Sequence, residues 1–212
     1  MINTSASGVA NPSARETIRI GTTPEGLATW FPLLGQGFLV KTRIGRNLRQ
    51  VLCEEIGLSP EYLEERVQTV FLDGKAIDDL EASVVGEASV VALSAAMPGF
   101  VGAAYRKGGY YRVMRSGTTY DNDPSQYNEK PGFFKMKLFN LVAAELGESF
   151  LRVGILLDSL ALTRFLANQP DSFWKKCREI RIDDQLTATD ELLTHLEGAP
   201  QHLVSLQVLA TP

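Results

Sequence analysis

The chain reads as an α+β protein whose two halves repeat one order of elements, and three observations predict this. First, between residues 67 and 99 a β-branched and aromatic run (67–72) meets the turn Asp73-Gly74 and closes a short return at Ile77. An acidic connector (78–81) follows, and then a second apolar run, SVVALSA (89–95). Second, FLDGKAIDDLEAS is echoed by IRIDDQLTATDEL, and SVVALSA by HLVSLQVLA near residue 210, which is the trace a tandem duplication leaves. Third, composition changes abruptly between the halves, over 98–133.

Taken in order, residues 1–15 are small and polar and read as a tail without the charged and apolar regions of a signal or transit peptide. TIRI (17–20) alternates as a strand, and GFLVKT (37–42) is expected to pair with it. The intervening GTTPEGLATWFPLLGQ is apolar, and its Trp30 and Phe31 are expected to pack on the core. Gly35-x-Gly37 is followed by Val40 where a dinucleotide loop needs a third glycine, so that motif is dismissed. Asn47 caps a helix whose apolar stripe is Leu48, Val51, Leu52 and Ile56 and which stops at Gly57; Ser59-Pro60 opens a further helical turn through Arg66. Strand, strand, helix, strand, strand defines a first module over 16–97.

The second module, 134–212, repeats that order. FKMKLFNLV (134–142) and FLRVGILL (150–157) read as strands joined by the hairpin signal LGES. Asp158 or Ser159 caps a helix carrying Leu162, Phe165 and Leu166 that ends before Pro170. REIRI (178–182) then runs into Asp183-Asp184, as 67–72 runs into Asp73-Gly74.

Residues 70–77 (VFLDGKAI) and 86–93 (GEASVVAL) resemble the strand-and-turn and the closing strand of β-grasp, or ubiquitin-like, sulfur-carrier proteins of molybdopterin and thiamine biosynthesis. That resemblance covers 16–99 and implies two tandem β-grasp modules joined by a Gly/Tyr/basic connector. The family acts through a free C-terminal Gly-Gly, whereas this chain runs on through Met97-Pro98-Gly99 and ends Ala210-Thr211-Pro212. The fold is therefore carried over and the activity is not, unless cleavage after Gly109 produces a Gly108-Gly109 terminus.

The connector, 98–133, holds five of the six tyrosines and is the only basic stretch of an acidic chain of net charge −4. Residues 1–87 carry 8 basic and 12 acidic residues, 88–133 carry 5 and 3, and 134–212 carry 8 and 10. Arg106, Lys107, Gly108, Gly109, Tyr110, Tyr111, Arg112 and Arg115 are accordingly the candidate ligand-binding residues, since cations draw in phosphates, tyrosine faces stack, and glycines allow close backbone approach. The alternative is a connector whose cations pair with the modules' acidic surfaces. Four clustered charges fall below the footprint of a dedicated nucleic-acid binder, so a nucleic-acid partner is not expected.

No apolar run approaches the roughly 20 residues that span a bilayer, and a cytoplasmic protein is expected. Cys53 and Cys177 are too few for a disulfide framework or CxxC metal site and read as buried thiols. His195 and His202 fit neither a zinc pair on one helix nor a triad, and no phosphate-binding, metalloprotease or hydrolase motif occurs; no cofactor, metal or catalytic residue is expected. The expected role is non-catalytic: an adaptor or binding protein with a protein partner. A processed carrier, or a phosphate or small-ligand binder at the connector, are the alternatives.

Overall fold

The computed structural model describes residues 14–95, 102, 105, 106 and 128–211. These form two compact units, one built on 39–143 and the other on 14–38 together with 144–211. The architecture is α+β.

In the first unit β2 (Phe38–Ile44) leads to Asn47, which caps α3 (Leu48–Gln50) in a reciprocal capping box with Gln50; the helix continues as a π-helical turn, Val51–Glu55. Ser59 caps α4 (Pro60–Glu65), where proline fits the first turn because its missing N–H has no helical partner to lose. Strands β3 (Thr69–Leu72), β4 (Lys75–Ile77), β5 (Val90–Ser94) and β6 (Lys130–Phe139) follow. The sheet order is β4-β3-β5-β6-β2, with β3 antiparallel to β4 and β5, and β5 parallel to β6. Alternate strand residues Val70, Leu72, Val91, Leu93, Phe134, Met136 and Leu138 are buried together with Leu48, Leu52 and Leu63 of the helices, so one sheet face is covered.

The second unit contains β1 (Glu16–Thr22), α1 (Pro24–Leu27), α2 (Phe31–Gln36), β7 (Ile155–Asp158), α6 (Ser159–Ala167), α7 (Asp171–Trp174), β8 (Cys177–Ile182), β9 (Gln185–Leu186), α8 (Thr189–Gly198) and β10 (Leu203–Ala210). Helix α5 (Asn140–Val153) carries the chain from the first unit into the second. The sheet order is β7-β10-β1-β8-β9, with β1 parallel to β10 and antiparallel to β8. Trp30 is fully buried, 4.8 Å from Phe173 and 5.6 Å from Phe165 by ring centroids, so the apolar insertion packs on this unit's core as expected. Asp158 caps α6 by accepting from Leu160 N, and Leu162, Phe165 and Leu166 are buried as one stripe.

Three expectations are corrected. β1 does not pair with β2: both edges of β1 are filled by β10 and β8. The LGES segment is no hairpin but part of α5. Burial at 142, 143, 147, 150 and 151 follows a helical period, and Gly147 is there because an added Cβ would lie 2.8 Å from the Phe31 ring and 2.9 Å from Leu34. Finally, β10 does not occupy the position of its sequence echo β5. The strand beside the hairpin of the second unit is β1.

With that exchange the two units share one pattern. Each has a terminal hairpin (β3–β4, β8–β9), then an antiparallel neighbour (β5, β1), then a parallel neighbour (β6, β10), then an outer strand (β2, β7). In each, the chain runs from the outer strand through two short helical segments into the hairpin. Both hairpins turn on two residues with positive φ, Asp73 (52°) and Gly74 (79°) in one, Asp183 (45°) and Asp184 (70°) in the other, the geometry that matches the twist of paired strands.

Candidate functional site

Among the described residues, helices cover one face of the first unit's sheet and leave the other open apart from the segment of Tyr105, and strand alternation decides what stands there. On β6, Phe134, Met136 and Leu138 point to the covered face, so Lys135 and Lys137 point away. On β2, Thr42 and Ile44 are buried and Lys41 and Arg43 are not. A Cβ added at Gly132 would meet three side-chain atoms of Ile44 at 2.8–3.1 Å, which places Ile44 on the same side as Gly132 and, by alternation, as Phe134. Because β2 and β6 are neighbours, Lys41, Arg43, Lys135 and Lys137 share the open face.

The register extends the row. Lys137 is opposite Ala92, which is opposite Phe71, and Lys135 is opposite Val90. No open-face position on β2, β3, β5 or β6 is acidic. Nearby carboxylates are engaged: Arg46 gathers Glu129 (3.0 Å), Glu54 (3.2 Å) and Glu55 (3.3 Å), and Glu55 Oε2 also accepts from Thr42 Oγ1 (2.6 Å) and Arg43 N (2.9 Å). Lys130 donates to Glu87 at 2.8 Å and holds that carboxyl below its ordinary range. Arg43, Lys135 and Lys137 form no ion pair among the described residues. Among the described residues these two strands put four cations and no carboxylate on one face, a positive surface on an acidic protein.

Of the residues expected at the connector, Arg106 is described; Lys107, Gly108, Gly109, Tyr110, Tyr111, Arg112 and Arg115 lie outside the described residues. Arg106 lines a shallow recess of about 340 Å³ with Glu65, Arg66, Gln68, Ala95 and Leu141. Its neighbour Tyr105 packs against Phe71 in a tilted arrangement, ring centroids 5.4 Å apart, at the apolar end of the open face. Tyr105 therefore stands on the same sheet face as the strand cations.

The strand cations do not stand out when charge is counted by segment, because β2 and β6 lie in stretches of mixed or acidic balance. The signal is present as K-x-K in FKMKLF and K-x-R in VKTRI, where alternation puts both charges of each pair on one side. His195 and His202, with no shared motif in the sequence, both come onto Glu16, at 2.5 and 2.7 Å.

Among the described residues no group of His, Cys, Asp and Glu is arranged to hold a metal ion, and no helix is long and apolar enough to cross a membrane. Cys53 and Cys177 are free and half-buried. The chemistry on offer at the open face is electrostatic attachment beside an aromatic contact. No known protein family, curated protein or solved structure matches the chain.

Proposed function

We propose that this chain is a non-catalytic binding protein made of two β-grasp-like modules, and that the open sheet face of the first unit holds an acidic segment of a partner protein. The observation that carries the reading is the cationic row Lys41, Arg43, Lys135 and Lys137 on one face of two adjacent strands. The shared strand pattern of the two units supports their being modules of one kind. An acidic polypeptide fits better than a rigid phosphate ligand. The charges are spread along two strands rather than converging on a pocket, and Phe71 and Tyr105 offer apolar contact at the end of the row.

The test is fluorescence anisotropy with a labelled ten-residue poly-glutamate peptide against wild type and the double variant Lys135→Glu/Lys137→Glu. Binding that weakens with salt and falls at least tenfold in the double variant supports the reading. Equal binding by both proteins, no binding by either, or a preference for inorganic polyphosphate over the peptide would overturn it.

A further inference from the structure

The second unit contains a device independent of that surface. Glu16, the first residue of β1, is a carboxylate with only 7% of its side chain exposed. Its two oxygens each meet a different imidazole: Oε2 lies 2.5 Å from Nε2 of His195 on α8, and Oε1 lies 2.7 Å from Nε2 of His202, in the segment between α8 and β10. The other nitrogen of His202, Nδ1, lies 2.7 Å from the carbonyl oxygen of Pro200.

Those distances settle the protonation that His202 needs. A carbonyl oxygen and an ionised carboxylate are both acceptors, so both ring nitrogens of His202 must carry protons. A neutral ring has one N–H for two acceptors and turns a lone pair onto an oxygen at 2.7 Å. The Pro200 carbonyl, and then the Glu16 carboxylate, hold His202 above its ordinary value of 6.5 against the opposing effects of burial and of Arg15. Burial works to raise Glu16, and the two histidines outweigh it, leaving the carboxyl below its ordinary 4.5.

Arg15 is the outside charge that acts on the cluster, and the neighbouring carboxylates are engaged elsewhere. Asp158, at the start of α6, is taken by Gln201 Nε2 at 2.5 Å. From the β8 side, Asp183 accepts from the backbone of Thr17. Ser159 contributes only uncharged groups, its N–H donating to His202 O and its Oγ accepting from His202 N. The cluster ties three pieces that are remote in sequence: the start of β1, helix α8 and the segment leading into β10.

We infer that Glu16, His195 and His202 form a proton-operated latch, closed over α8 and the start of β10 while His202 carries two ring protons and loosened when it loses one. The hold is complete below the ordinary histidine value and is lost as pH rises through the raised value of His202. It also fails in acid, as pH falls through the lowered value of Glu16. What the latch releases is α8, whose Leu192 and Leu196 are buried, so its opening exposes apolar surface on the second unit.

With two histidines in the chain, proton NMR titration of the imidazole resonances reads the cluster directly, alongside backbone hydrogen exchange of residues 190–205 corrected for intrinsic base catalysis. One resonance is expected to titrate above 6.5, with exchange of 190–205 accelerating about tenfold for each unit of that elevation as pH passes through the same midpoint. Glu16→Gln is expected to lower that midpoint and to uncouple exchange from it. The absence of any resonance titrating above 6.5, or exchange that ignores the titration, would overturn the latch in the wild-type protein alone, whether or not the variant folds.

Discussion

Tyr105 faces Phe71 with ring centroids 5.4 Å apart and planes inclined by 48°. Aromatic pairs in such tilted arrangements contribute about 0.5–1.5 kcal/mol beyond the area they bury. Tyr105→Ala is therefore expected to lower the unfolding free energy read from a urea transition by that order, and Tyr105→Phe, which keeps the ring, to lose less.

Trp30 is the largest fully buried side chain, clasped by Phe165 and Phe173 in the second unit. Trp30→Ala leaves a cavity that rigid aromatic neighbours cannot fill, at about 3–5 kcal/mol. That is a large share of a domain's whole stability, and the expected readout is early loss of the second unit's hydrogen-exchange protection.

Two glycine substitutions should behave differently for different reasons. At Gly74 nothing lies within 4 Å of an added Cβ, so Gly74→Ala meets only the strain of a φ of 79°, about 1–2 kcal/mol. At Gly147 the helix favours alanine, but the Cβ would press on Phe31 and Leu34, and overpacking of about 1–3 kcal/mol exceeds the propensity gain of about 1 kcal/mol. Restoring room with Gly147→Ala/Phe31→Leu should recover stability; thermal denaturation checks both.

Burial pushes the Cys177 thiol up to about 11. At pH 8 its thiolate fraction is about a hundredfold below that of an ordinary cysteine, so iodoacetamide should label it slowly until the protein unfolds. Mass spectrometry of timed labelling, native against urea-treated, reads the ratio.

Local grammar was legible where a segment's neighbours in sequence are its neighbours in space. The Asn47 cap, the Leu48–Leu52 stripe, the Asp73-Gly74 turn and the Asp158 cap all belong to that class. The α5 helix was misread because Gly147 looks like a turn in sequence, and only the approach of Phe31 and Leu34 shows why glycine sits there. The β1 pairing was illegible for a different reason. TIRI specifies a strand but not its partner, and its partners begin 160 residues later. The Glu16 cluster shares that origin, since 179 and 186 residues separate the carboxylate from its two histidines. At the candidate site, the K-x-K of β6 was readable once its strand was assigned. The neighbouring pair on β2 needed the sheet order.

The central place of β1 in the second sheet has a consequence for synthesis. The first unit draws its strands from one continuous stretch of chain, so it can assemble while the ribosome is still at work. Ile18 and Ile20, made early, must wait for Leu206 and Val208 before their ladder closes, with a loop of nearly the whole chain to be drawn shut. Until then an apolar strand made early stays without its partners, so the second unit is the later of the two to close.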